Sequence, residues 1–171
     1  YDDSSMDQHT TYIISLARYA NSDLATAEDK AWIAQKLRAI GQRLEKHGFS
    51  IKAADGMTES HVGFSWKGFH SNHVSILIPT LYAIYRGTGD EHWRKLHDHF
   101  LAERDGLRWQ RLHAGEHVQL NAHPIYANQN GFRLYAYRHF LEDSETRSVI
   151  SDLLAQCATM QLNREFPGPF Y

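Results

Sequence analysis

The chain has 171 residues, of which 42% are hydrophobic and 22% charged, with four prolines and a formal net charge of -2. This length favours a single domain with a substantial apolar core, and the composition excludes a disordered or low-complexity protein. Balanced charge without a lysine and arginine stripe argues against nucleic-acid binding. The longest apolar run, 74–78, falls far short of the roughly 20 residues that cross a bilayer, so no membrane span is expected.

The first two helices are predicted from apolar residues at helical spacing. One should run from about Asp7 to Tyr19. The next should begin at Thr26, where Thr26 and Asp29 can form a capping box, and should stop before Gly48.

Two long segments lack this periodicity. In the first, 49–69, Asp55 and Gly56 lie between short apolar stretches, which predicts a small β-hairpin near 49–58. The second, 104–123, is predicted to be a loop. Long ordered loops often carry function, so both segments are candidates for parts of a functional site.

Four further helices follow from the same periodicity: Ser71 or Asn72 to Gly87, about Asp90 to Glu103, Pro124 to Phe140, and from after Ser144 to about Met160. Pro79 is expected to bend the first of these. Six helices in three pairs, each pair joined by a short turn, are typical of stacked αα-hairpins. The sequence therefore predicts one all-α domain over 1–171, built as an array of three αα-hairpins.

Polar residues are concentrated where the first helix of each pair opens. Connections within pairs are short and those between pairs are long, so these openings should converge at one end of the array. The residues are Asp7, Gln8 and His9; His70, Asn72 and His73; and His123, Tyr126, Asn128, Gln129 and Asn130. Helix N-termini also suit an anionic ligand such as a uronate or sulfate. Asp7, Asn72 and Asn128 fit helix caps equally well.

A pocket at this end would suit a carbohydrate. Aromatic faces pack against the apolar faces of sugar rings, while amide and imidazole groups reach the hydroxyls. Each aromatic residue taken alone also fits a core position. The candidate substrate-binding residues are Trp66, His70, Asn72, Trp109, His123, Asn128 and Gln129.

Three residues are candidates for catalysis: Asp7, His73 and Tyr126. Glycoside hydrolysis generally uses two carboxylates, of which Asp7 would be one and Glu59 a partner. A uronate lyase instead needs a base such as His73 or Tyr126 and a group that neutralises the substrate carboxylate. A non-catalytic helical binding or assembly module is the third alternative.

No metal site or cofactor is predicted. His113, Glu116 and His117 match the H-x-x-E-H pattern of inverted zinc peptidases. Gly115 and weak local periodicity argue against the helix that this pattern requires. Dinucleotide, P-loop and nucleophile-elbow motifs do not occur.

Three motifs resemble part of the six-hairpin (α/α) toroid proteins, the glycosidase-like and polysaccharide-lyase-like families. They are Asp7-Gln8-His9-Thr10 at a helix opening, Gly48-Phe49-Ser50-Ile51 through Asp55-Gly56-Met57-Thr58 as a small hairpin, and Tyr85-Arg86-Gly87-Thr88-Gly89-Asp90-Glu91-His92-Trp93 as an inner-to-outer turn. The resemblance implies action on a glycan, by hydrolysis or β-elimination, at the N-termini of the inner helices.

The family ring has twelve helices, whereas this chain can supply about six. Two arrangements stay open: a fragment of a larger toroid, partnered by the remainder of a longer chain, or an arc completed as a homo-oligomer. The start at Tyr1, without methionine or a signal-like segment, fits a processed or excised product. It leaves the compartment open, a secreted or periplasmic one included.

Overall fold

The structure, a computed structural model, describes residues 4–60, 65–69, 71–113 and 124–162, with the backbone alone at 71–72, 113, 124–128, 157 and 159–162. These residues form six helices: α1 (Met6–Ala20), α2 (Ala27–Lys46), α3 (Ser71–Thr88), α4 (Glu91–His113), α5 (Pro124–Phe140) and α6 (Ser144–Leu162). No strand occurs in the described part of the chain. The predicted all-α class is confirmed.

Capping boxes fix the starts of α1 and α2. Ser5 and Gln8 cap α1 reciprocally, and Thr26 and Asp29 do the same for α2, as the sequence predicts. Each box supplies partners for backbone N–H groups that have none within the helix. Asp7 therefore lies in the first turn of α1 and is not its cap, which leaves its carboxylate available for contacts with other helices.

After α2 the chain turns sharply. Gly48 has φ +65° and Phe49 has φ +62°, a left-handed conformation that suits the glycine and strains the phenylalanine. The Phe49 ring is buried edge-on against Phe100, with centroids 5.5 Å apart, and this packing stabilises the turn. Beyond it, Lys52 and Glu59 form a single antiparallel bridge.

Helix α3 is the centre of the array. It contacts α1, α2, α4 and α5, and every residue from 73 to 81 is buried. Its apolar stretch around Leu77 and Leu81 is consequently surrounded by amphipathic neighbours. Pro79 lies inside the helix, which continues past it to Thr88. Helices α1 and α5 also contact each other, and α6 packs on α5.

Helix α4 is interrupted at Glu103–Gly106, where Arg104, Asp105 and Gly106 have φ values of 51°, 57° and 75°. The predicted end near Glu103 matches this break. The predicted loop from Arg104 is wrong over 107–113, which is helical. The physical reason is that Arg108 is fully buried and hydrogen-bonded to the distant segment 67–68, a contact that local periodicity does not encode.

No described helix combines the length and the apolar character needed to span a bilayer.

Candidate functional site

A chain of polar contacts joins three helices near the start of α1. Arg133 of α5 donates to the Asp7 carboxylate at 2.5 Å and to Asn130 Oδ1 at 3.0 Å. Ser75 of α3 donates to the same Asn130 oxygen at 2.7 Å. We call Asp7, Ser75, Asn130 and Arg133 the polar network. It brings residues of α1, α3 and α5 together.

The polar network is buried at one end and open at the other. Asn130 and Ser75 are fully buried and the Arg133 side chain is 3% exposed, whereas the Asp7 side chain is 36% exposed. Burial lowers the pKa of Arg133, and the nearby Asp7 charge opposes that shift. Since a guanidinium stays protonated in proteins, Asp7 provides the counter-charge for a buried cation and presents its own carboxylate to solvent.

A cavity of about 410 Å³ lies beside the first turns of α1 and is lined by Ser4, Gln8, His9, Tyr12 and Ile40. A smaller cavity of about 60 Å³ shares His9 and Ile40 with it and extends toward Arg43 and Lys52. Burial lowers the pKa of His9, so its imidazole is neutral near pH 7. Tyr12 is exposed at the cavity. Asp7 is not among the lining residues, because it faces α5 while His9 and Tyr12 face α2.

The predicted residues with described side chains do not all reach this region. His73 is buried, and its ring lies against the loop: a Cβ built on Gly68 would come within 2.1 Å of its Nδ1. Trp66 is fully buried in the core, so its ring offers no face to a sugar in this packing. Trp109 lines a separate cavity next to α6. Gln129 is partly buried, and its Oε1 has no hydrogen-bond partner among the described atoms.

Five of the candidate catalytic and substrate-binding residues, and two residues of the histidine motif, cannot be placed as side chains. His70 and His123 lie outside the described residues, as do Glu116 and His117 of the histidine motif. Asn72 occupies the first turn of α3, and Tyr126 and Asn128 occupy the first turns of α5, with backbone alone described there. Their backbone positions match the predicted helix openings.

Within the described part of the chain, no second carboxylate joins the polar network. Glu59 pairs with Lys52 at 3.7 Å on the bridge after α2. In the described ranges no group of three or more histidine, cysteine, aspartate or glutamate side chains could hold a metal ion.

Arginines of α4 fix the segment that leads into α3. Arg108 donates to the carbonyls of Lys67 and Gly68, each at 2.9 Å, and Arg111 donates to that of Phe69. The guanidinium groups of Arg104 and Arg108 lie 4.4 and 4.3 Å from the centroid of the Phe69 ring. Charge-assisted and cation–π contacts thereby hold 67–69 in place before the first turn of α3.

Sequence reasoning did not single out Arg133 or Ser75. The position of Arg133 could have indicated its burial. It lies three residues after Asn130 and four before Tyr137, so the three share a helical face, and both neighbours are buried. A charged residue on a buried face requires a partner. Ser75 has no comparable signal within its apolar neighbourhood.

No protein-family model, curated protein or solved structure matches this chain.

Proposed function

We propose that this protein acts on a poly- or oligosaccharide by glycoside hydrolysis, with Asp7 as the reacting carboxylate. The observation that carries the proposal is the polar network. In it, a buried arginine holds one partly exposed carboxylate in place where three helices meet. A role confined to joining helices would not require the carboxylate end to face solvent.

The ion pair defines what Asp7 can do. Paired with Arg133, Asp7 is an ionised carboxylate with Oδ1 fixed by the guanidinium. The contact with Arg133 is made by Oδ1, and the Asp7 side chain is 36% exposed. An ionised, oriented carboxylate suits a general base that takes a proton from water, or a nucleophile at the sugar carbon, better than it suits an acid.

The cavity next to α1 supports a carbohydrate ligand. Tyr12 offers an exposed aromatic face, and Gln8, His9 and Ser4 offer amide, imidazole and hydroxyl groups for hydrogen bonds. Its volume of about 410 Å³ is in the range of small-ligand sites. A sugar unit bound there would lie on the α2 side of α1, so the bond that Asp7 cleaves would belong to a further unit of the oligosaccharide, on the α5 side of the same helix.

The alternatives differ in how well the contacts support them. A uronate lyase would use His73 or Tyr126 as base, but His73 is buried against Gly68, and Arg133 is already engaged by Asp7. A carbohydrate-binding module without turnover is favoured by one observation: the polar network contains a single carboxylate, whereas hydrolysis generally uses two.

A glycan panel tests the proposal, with reducing ends and the absorbance of unsaturated uronates followed together. We expect reducing ends without that absorbance. Asp7→Asn should lower kcat at least about 100-fold, the usual contribution of a general base, while ligand affinity changes little. Asp23→Asn is the matched control, since Asp23 is exposed in the turn after α1. Thermal melts confirm that each variant is folded.

Each other outcome points to a named alternative. Unsaturated products would establish the lyase. Glycan binding without product on every substrate would establish the binding module. Equal turnover by Asp7→Asn and Asp23→Asn would exclude Asp7 as the reacting group.

We further propose that the three hairpins are part of an (α/α) toroid, with the segment near 49–58 as its small β-hairpin. Alternation of α1, α3 and α5 with α2, α4 and α6 supports this arrangement. One contact differs from a regular ring of six inner helices. In such a ring the second inner helix would separate the first from the third, whereas here α1 and α5 contact each other directly. Light scattering tests completion by a second copy: a monomer at all concentrations would contradict it.

A further inference from the structure

A second cavity, of about 370 Å³, lies between the two parts of α4 and the start of α6. It is lined by Asp98, Leu101, Ala102, Gly106, Trp109 and Thr146. The break at Glu103–Gly106 creates it, because the left-handed residues redirect the second part of α4. No residue of the polar network lines it, and the proposed glycan site does not use it.

The cavity has a simple chemical character. Among the described residues that line it, four are apolar, Thr146 adds one hydroxyl group and Asp98 alone is charged. Leu101, Ala102 and Trp109 together form an aliphatic and aromatic wall. The site therefore combines one negative charge with an apolar interior.

The buried His97 holds the Asp98 carboxylate, and the buried Tyr137 in turn holds His97. His97 Nδ1 and Asp98 Oδ1 are 2.8 Å apart, and His97 Nε2 and the Tyr137 hydroxyl are also 2.8 Å apart. Because a carboxylate only accepts, Nδ1 carries the proton and Nε2 accepts from the hydroxyl. These contacts orient the Asp98 side chain, which is 61% exposed, at the edge of the cavity.

The charge of Asp98 is not cancelled by these neighbours. Burial lowers the pKa of His97 and raises the pKa of Tyr137, so both groups are neutral near pH 7. Arg94, one turn earlier on α4, pairs with Glu91 at 3.7 Å and also interacts electrostatically with Asp98. Together Glu91, Arg94 and Asp98 carry a net charge of about -1.

We propose that this cavity binds a small organic cation, of the alkylammonium or quaternary ammonium class. The Asp98 carboxylate attracts the charge, and Trp109 and the aliphatic wall cover the alkyl groups, which is how proteins recognise weakly hydrated cations. A neutral sugar fits less well, because its several hydroxyls would meet only Asp98 and Thr146 as polar side chains. An uncharged apolar molecule would fill the cavity without forming a charge interaction with the Asp98 carboxylate.

Calorimetric titration of the full chain with choline tests the proposal at low ionic strength, where the charge is least screened. The neutral isostere 3,3-dimethylbutan-1-ol is titrated in parallel. We expect choline to bind at least about tenfold more tightly than the isostere, because only choline carries the charge that Asp98 attracts. A tenfold ratio corresponds to about 1.4 kcal/mol. Trp109 fluorescence should change during the choline titration.

Variants locate the site. Asp98→Asn should weaken choline binding about tenfold, and its amide oxygen can still accept from His97, which protects the fold. Asp105→Asn removes the same charge from an exposed position in the break that does not line the cavity, and asparagine tolerates its left-handed backbone. This control should bind choline as the unchanged protein does. Equal affinity for choline and isostere, equal loss in both variants, or no choline binding would each overturn the proposal.

Discussion

Asp7 and Arg133 share one ion pair but differ in exposure, and that difference determines what each substitution costs. If Asp7 is removed, a guanidinium that is 3% exposed keeps its charge without the counter-charge of Asp7, and only the neutral Asn130 side chain still accepts from it. If Arg133 is removed, the remaining carboxylate is 36% exposed and can be hydrated. The energetic penalty of an unpaired charge depends on how deeply it is buried.

We therefore expect Asp7→Ala to lower the free energy of unfolding by about 3 kcal/mol or more, and Arg133→Met by about 1–2 kcal/mol. Methionine fills most of the arginine volume without leaving a buried charge. Urea unfolding of both single variants and of the double variant measures the difference and the coupling. A larger loss for Arg133→Met than for Asp7→Ala would show that the guanidinium is not the costly partner.

The Trp93 ring of α4 reaches across to Gly41 of α2. A Cβ built on this glycine would lie 2.6 Å from two ring carbons of Trp93, and the ring is 1% exposed and cannot move aside easily. Gly131 in α5 offers the opposite case, since a Cβ there meets nothing within 4 Å. Both residues are helical, so their helix propensities are comparable and only the space around them differs.

Gly41→Ala should therefore lower the free energy of unfolding by about 1–2 kcal/mol, because the clash exceeds the gain in helix propensity. Gly131→Ala should raise it by about 0.5–1 kcal/mol through propensity alone. Thermal and urea unfolding of the two variants check the signs. Stabilisation by Gly41→Ala would mean that α2 and α4 are not packed through Trp93 as described.

At the scale of the whole molecule, the features that the sequence predicts are those encoded locally. The start of α2 follows from Thr26 and Asp29, which are three residues apart. The helix at 107–113 depends on Arg108 contacting carbonyls about 40 residues away, and the site depends on Arg133 meeting Asp7 across 126 residues. Periodicity and capping do not report such pairs, so helix openings could be predicted and their partners could not.

Acid is expected to weaken the whole fold before its carboxylates titrate, because His97 is buried in its neutral form. It is packed against the rings of Tyr82 and Tyr137 and bonded to Asp98, with Arg94 one turn away; burial lowers its pKa from the ordinary 6.5. The unfolded chain takes up a proton near pH 6.5 that the folded chain resists. The contribution of neutral His97 to the free energy of unfolding is therefore fully present above that pH. It declines as pH falls toward the pKa of His97 in the folded protein, by at most about 1.4 kcal/mol per pH unit.

Urea unfolding between about pH 7.5 and 5 measures this slope. His97→Gln should be less stable at pH 7.5, since it loses the fitted contacts, and should show a shallower decline in acid because the titrating group is gone. His92→Gln is the matched control: His92 lies on the surface, 2.9 Å from Glu45, so this variant should keep the steeper decline. An unchanged slope in His97→Gln would assign the acid sensitivity to other groups, of which His9 is the first candidate because burial lowers its pKa as well.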